Sequence, residues 1–347
     1  MNLSGIRNSS LSIPLGLLSA GCFILQAQSQ THSPEKEFKL RVPVAEVVVP
    51  VTVLDGDGRP ALGLQKQDFA LFEDNFPQVI QRFSLDPAPL SIAILIDSST
   101  DVLTQTMIKE NLVPLVETLS PFDEAAVWEF EHVPDLLQGF TNDKEVLLKA
   151  LQKLTLGENA PAFNGAAGPF GSQPTLNGIP VGPGVNQTQP PKTLNTHIDD
   201  AVFGAAQALR SRPRERRRII LLISNGQNAP GNRHNFDRTI ESVIAADIIV
   251  FGIGQGTSVA SRRLGNRVAR YANDTGGEVF YPVKSAAFAE SLQRISLTAR
   301  NQYVLGFVSS AQVDKVTYRK ISVEIIGEKG KSYKVRNRKG YFAVPIL

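Results

Sequence analysis

The sequence predicts an α/β fold: a doubly wound, mostly parallel sheet of about six strands, inserted in a β-sandwich-like domain that the N- and C-terminal flanks build together. Three observations carry this. SIAILID (91–97), RIILLIS (218–224) and DIIVFGIG (247–254) are short continuous apolar runs, the composition of strands buried on both faces. Between them fall helical stripes such as Ile108, Leu112, Leu115, Val116 and Leu119, or Phe236, Ile240, Val243 and Ile244. Outside both ends the pattern changes to alternation, as half-buried strands show.

In the first flank (38–86), VAEVVVPVTVL (44–54) is β-branched, DGDGRP (55–60) is a turn cluster, and DFALFED (68–74) and QVIQRFS (78–84) alternate. DPAP (86–89) links this flank to the α/β region (90–300), because proline and the residue before it resist helix. AAVWEFEH (125–132) and LLQGF (136–140) add two strands, the second at an edge. Leu264, Val268 and Tyr271, then Phe288, Leu292 and Ile295, mark two more helices. The last flank (301–347) alternates again in YVLGFV (303–308), RKISVEII (319–326) and SYKVRNRKGYF (332–342). Two β segments of roughly fifty residues would struggle to bury separate cores, so 301–347 is expected to pair with 38–86.

Residues 156–192 are dense in Gly, Pro, Asn and Gln without an apolar period, and read as a flexible loop. The loop is either a surface insertion or, lying just before Thr196, a lid or partner-contact segment. Residues 1–29 have the anatomy of an export signal: Arg7, an apolar stretch at 11–25, and small Ala27 and Ser29 spaced for cleavage. The expected location is therefore secreted, periplasmic or cell-surface. LLSAGC (17–22) is a loose lipidation signal that would make Cys22 a membrane anchor, but Ser19 and the apolar run beyond Cys22 favour plain secretion. Cys22 is the single cysteine, which excludes an internal disulfide. With 36 Lys and Arg against 33 Asp and Glu, a net +3 gives no reason to expect a nucleic-acid partner.

In an open α/β sheet, ligands sit beyond the carboxyl ends of the strands. SIAILID ends at Asp97, opening the loop Asp97-Ser98-Ser99-Thr100-Asp101; RIILLIS runs into Ser224-Asn225-Gly226; Thr196 precedes a helix. These three loops are expected to converge.

At these residues the sequence resembles the von Willebrand factor type A fold, and in particular von Willebrand A–related proteins of the acidobacterial type. The resemblance rests on SIAILIDSS, RRRIILLISNGQN (216–228) and TGGEVFYP (275–282), and in the flanks on VTVLDGDGRPALGLQKQDFALFEDNFPQ (51–78), YVLGFV, RKISVEI and RKGYF. It implies a metal-ion-dependent adhesion site (MIDAS), built from an Asp-x-Ser-x-Ser loop, a Thr and an Asp. Carried over, the metal residues are Asp97, Ser99, Asp101, Thr196 and Asn225. Asp101 departs from the second Ser and Asn225 from the last Asp. The ion implied is Mg²⁺, or Mn²⁺ or Ca²⁺, and the role a non-enzymatic adhesion module for a protein or matrix ligand. Either Asp101 turns to the ion and partly quenches it, or it caps its own helix and the chain is an envelope scaffold with an extinct site.

Other motifs are weaker. GIGQG (252–256) lacks the third glycine of a nucleotide loop, since residue 257 is Thr; DGDG lacks a Glu twelve positions on, since residue 66 is Lys. The arginines between 210 and 218 read as a solvated connection without interleaved aromatics. A Ser99–His197–Asp97 arrangement would make a hydrolase but has no nucleophile elbow.

Overall fold

In the computed structural model the chain is described at residues 46–85, 87–100, 102–156, 175–176, 179–180, 196–254, 266–310, 313–327, 330 and 332–345. The stretch expected to be an export signal, Cys22, Asp101, Leu264 and most of the 156–192 loop lie outside these residues.

The β-branched run folds as β1 (Glu46–Leu54). β2 (Phe69–Glu73) and β3 (Phe76–Gln78) form a hairpin through Asp74 and Asn75, whose φ values of 46° and 70° are those a two-residue primed turn needs. β4 (Arg82–Ser84) follows. The alternating stretch 78–84 is thus not one strand: β3 and β4 belong to different sheets, and the chain crosses at Val79–Gln81 with Ile80 buried between them.

The central region runs β5 (Leu90–Asp97), α1 (Val102–Glu110), α2 (Leu112–Glu117), β6 (Glu124–Phe130), β7 (Asp135–Thr141) and α3 (Lys144–Leu151). A two-stranded pair, β8 (Thr175–Leu176) and β9 (Ile179–Pro180), lies within the Gly/Pro-rich stretch. Then come α4 (Ile198–Arg210), β10 (Arg217–Ser224), α5 (Phe236–Ala245), β11 (Ile248–Gly254), α6 (Arg267–Thr275), β12 (Val279–Phe280) and α7 (Ser285–Arg300). The expected single helix over 108–119 is two helices. Pro114 has no N–H for the Glu110 carbonyl, and at the break Asn111 donates to the Met107 carbonyl and to Ser285 Oγ, each at 2.8 Å.

The six central strands form one sheet in the order β12-β11-β10-β5-β6-β7, parallel except for the edge strand β7. Alternation sorts each strand onto two cores. Ile92, Ile94 and Ile96 of β5 pack with α1, α2, α3 and α7, whereas Ala93 and Leu95 pack with α4, α5 and α6. This is the doubly wound α/β arrangement.

The last flank gives β13 (Tyr303–Val308), β14 (Thr317–Ile325), β15 (Lys334–Asn337) and β16 (Gly340–Ala343). With the first flank they form two antiparallel sheets, β15-β1-β13-β4 and β16-β14-β2-β3. Val49 and Val51 of β1, Leu71 of β2, Leu305 of β13 and Val323 of β14 share one core. The stretch 332–342 also changes sheets partway. Arg338 pins that crossing, its guanidinium donating to Asp247 Oδ1 (2.7 Å) and to the Val48 carbonyl (2.6 Å).

Candidate metal centre

The parallel register ends β5 at Asp97 beside Phe130 of β6, while Ser224 closes β10 on the other side. Three loops therefore leave one sheet edge together. The first turns sharply: the Ser98 N–H donates to the Phe130 carbonyl (3.0 Å), and Gln105 of α1 reaches back to the Thr100 carbonyl (2.7 Å). The Thr196 loop is tied on both sides. Its own carbonyl accepts from Ala229 N–H (2.8 Å), and the next residue, His197, donates its N–H to the Glu131 carbonyl (2.7 Å).

Asp97 is fully buried, and its acceptors are all occupied by neutral donors. Oδ1 accepts the Ser99 N–H (2.9 Å) and the Ser99 hydroxyl (2.6 Å); Oδ2 accepts the Ser224 hydroxyl (2.7 Å). Burial pushes the Asp97 carboxyl above its ordinary range; the bonds from Ser99 and Ser224 counter this only in part, and Glu131 adds to it. Among the described residues no Lys, Arg or His pairs with Asp97. A buried carboxylate surrounded by hydroxyls lacks a cation.

Ser99 Oγ lies 2.6 Å from Thr196 Oγ1, across 97 residues of chain. Ser99 spends its one proton on Asp97, so Thr196 donates to Ser99 and keeps its own lone pairs outward. Three hard oxygens from two loops thus stand in line: Thr196 Oγ1, Ser99 Oγ and Asp97 Oδ1. Neighbouring ligands of an octahedral ion with Mg–O near 2.1 Å stand about 3.0 Å apart, so the hydroxyl pair fits after opening by a few tenths of an ångström.

Of the five residues expected from sequence, the structure brings Asp97, Ser99 and Thr196 together. Asp101 lies outside the described residues. Asn225 sits at the rim, and its side-chain oxygen accepts the Gln227 N–H (2.8 Å) in an Asx turn; no hydrogen bond joins it to the other three. Among the described residues no three His, Cys, Asp or Glu side chains gather as a metal-binding group, so an ion here would depend on the hydroxyls.

Sequence reasoning passed over three positioning residues. Ser224 holds Asp97 Oδ2 while accepting the Gly226 N–H (3.0 Å), and its place at a strand end beside Asn225 was the available signal. Gln105 gave none. Asn228 accepts the Ile198 N–H (2.9 Å) and donates to Asp199 (3.0 Å), fastening the third loop to the start of α4. Gly226 has φ +79°, and a Cβ there would also run into the Asn266 side chain.

His197 does not serve Ser99. Its Nδ1 is 3.9 Å from Asp200, and its Nε2 faces Gly231. No hydrogen bond joins His197 to Ser99 among the described residues, so the Ser-His-Asp arrangement is not assembled.

No family model matches the chain, and no curated protein does. Among solved structures it is similar to a von Willebrand factor type A from Catenulispora acidiphila, at 11% identity and TM-score 0.45 over 82% of this chain and 76% of that one. It is also similar to proximal thread matrix protein 1 of the mussel byssus, at 14% identity and TM-score 0.42 over 63% of this chain. The chain spans 50% of the length of that mussel protein, one of whose structures has a zinc-occupied MIDAS motif. An aerotolerance-related membrane protein from Bacteroides fragilis aligns at 14% identity and TM-score 0.40, over 60% of this chain and 98% of that one.

Proposed function

We propose that the chain is an exported, non-enzymatic interaction module that engages a protein or matrix partner at the face of Asp97, Ser99, Thr196 and Asn225 through a divalent cation. The observation that carries this reading is the hydroxyl pair, Ser99 and Thr196, 2.6 Å apart over a buried Asp97 that has no cationic partner among the described residues. Ser99 and Thr196 would hold the ion, and Asp97 would fix the Ser99 hydroxyl and supply the counter-charge. A bound ion would offer a Lewis-acidic position to a carboxylate of the partner. Asn225 contributes no charge at the rim, so the ion would carry more net positive charge than with an acid there. Export rests on the leader read in residues 1–29.

One observation favours a second reading, an envelope scaffold without metal. Ser99 and Ser224 already satisfy both Asp97 oxygens, so the loops close without an ion. Titrating Mg²⁺, Mn²⁺ and Ca²⁺ into wild type and Ser99→Ala, with thermal unfolding as readout, separates the two. A ligand that binds only the native state stabilises it by about 2.7 kcal/mol at a hundredfold excess over Kd. The metal-dependent reading expects a saturable rise in Tm in wild type, absent in Ser99→Ala. No rise with any of the three ions at millimolar concentration leaves the scaffold.

A further inference from the structure

At the opposite end of the parallel sheet, a cleft of about 660 Å³ opens between the first residues of β10 and the sheet containing β1, β4 and β13. Arg82, Arg214, Arg216, Arg217 and Arg218 line it, against Glu46, Glu215 and Asp247. Two positive charges are in excess. Asp247 is moreover neutralised from outside the cleft by Arg338, at 2.7 Å.

The arginines are not equivalent. Arg216 is consumed by the fold, donating to Ser91 Oγ (2.9 Å) and to the carbonyls of Leu90 (2.8 Å) and Phe122 (2.7 Å). Arg218 is only 8% exposed, and the partners of its terminal nitrogens are neutral carbonyls, those of Ala246 and Arg212; its Nε has no partner. Burial, partly offset by Asp247, holds its guanidinium below the ordinary range, and the like charge of Arg214 acts in the same direction. Arg214 is exposed and makes no hydrogen bond or ion pair among the described residues. A buried guanidinium whose hydrogen bonds go to carbonyls has its desolvation cost only partly offset by the more distant Asp247 and Glu215, and a second one, Arg214, stands beside it.

We infer that this cleft is an anion site for a phosphate monoester, with Arg214 and Arg218 as its charged contacts. A dianionic ester matches the excess of two charges, and guanidinium groups suit its oxygens. The volume exceeds that of a bare ion, and Val48, Pro50, Ile249 and Val304 offer an apolar wall to the organic part. None of the lining side chains is aromatic, so the base stacking that holds single-stranded nucleic acid is not available.

The test is calorimetric titration of the full chain in EDTA, which silences any metal at Asp97, with glucose 6-phosphate as probe and sodium chloride of equal ionic strength as control. Saturable binding is expected in wild type and in Asp97→Asn, and at least about tenfold weaker binding in Arg214→Gln, a change at an exposed side chain that leaves the fold intact. Sedimentation with phosphatidic acid vesicles identifies the source of the ester. Retention of wild type but not of Arg214→Gln assigns a lipid headgroup; binding of glucose 6-phosphate without retention assigns a soluble ester. Absence of both, or affinity unchanged in Arg214→Gln, overturns the inference. Either result leaves the metal reading untouched, because that site is read by a different titration.

Discussion

At the amino ends of the parallel strands, the Asp123 carboxylate meets the Arg300 guanidinium at 2.7 Å and accepts the Leu90 N–H at 2.8 Å; Glu124 beside it is paired with Arg212 at 2.6 Å. At the carboxyl ends, Asp97 is as deeply buried but, among the described residues, meets only hydroxyls and one amide. Burial raises both Asp123 and Asp97. Arg300 with the Leu90 and Ser120 amides overcomes it at Asp123, which ends below its ordinary range, whereas Asp97 stays above. For its buried acids the fold thus supplies a cation at one end of the sheet, the closed end, and none at the other, the open end. The open end is where α/β sheets bind ligands. Asp123 and Glu124 bring their own cations; on the proposed reading, Asp97 would receive one from outside.

The largest effect should follow from breaking the closed end. Asp123→Ala leaves Arg300 and two amides without their acceptor, and removing one partner of a buried pair costs about 3–5 kcal/mol. Urea unfolding at neutral pH measures it. A loss below about 1 kcal/mol, the range of an exposed pair, would show that this end is no tighter than a surface salt bridge.

Asp97→Asn should behave in the opposite way. The amide keeps the geometry, its oxygen accepting from Ser99 and its nitrogen donating to Ser224, while the unneutralised charge disappears. In EDTA the stability should change by less than about 1 kcal/mol in either direction, and any Mg²⁺-dependent rise in Tm should vanish. A loss in EDTA as large as that of Asp123→Ala would mean that the Asp97 charge is balanced within the chain after all, and the contrast between the ends would fail.

Acid separates the pair further. A carboxyl held below its unfolded value contributes stability that is complete above about pH 4 and disappears as pH falls through its folded value. Asp123 and Glu124 both lie on that side. Wild type should therefore keep this contribution from pH 7 to about 5 and lose it below about 4, and Asp123→Asn should show a shallower acid limb. Chemical denaturation at stepped pH reads the slope. An unchanged limb would place the acid sensitivity elsewhere.

How far the sequence reveals these ends follows from the range of each interaction. The carboxyl edge is legible because parallel strands read as apolar runs whose last residues share one edge; counting places Asp97 and Ser224 there, but not the bond between them. The approximate number of strands follows likewise, though not their order. The closed end is illegible because its pairs join distant positions, Arg300 to Asp123 and Arg212 to Glu124, with no local pattern. Hence an arginine-rich connection expected to be solvated proves in large part to be stitching. Breaks also escape periodicity. Pro114 divides a stripe that looks continuous, and the strands near Ile80 and Arg338 change sheets without changing their alternation. Helix α3 has its own signal in Asp143, which caps it by accepting the Glu145 N–H at 2.9 Å, but its apolar stripe, Leu147, Ala150 and Leu151, is too short to show a period.

The smallest effect addresses the open end directly. Asn225 holds its loop by accepting the Gln227 N–H, a task an aspartate oxygen performs equally well, so Asn225→Asp should keep the Asx turn. The side chain is only partly buried, and the change in stability without metal should stay within about 0.5 kcal/mol. What changes is charge. A second carboxylate at this edge should attract a cation more strongly, and a gain of about 1.4 kcal/mol would appear as a tenfold lower Kd for Mg²⁺ by calorimetry. The same acid would neutralise the ion further, so a partner's carboxylate should bind it less well even as the metal binds better. Tighter Mg²⁺ with weaker acetate binding to the loaded site is the expected pairing. If Mg²⁺ affinity does not move, Asn225 does not face the ion, and the site reduces to Asp97, Ser99 and Thr196.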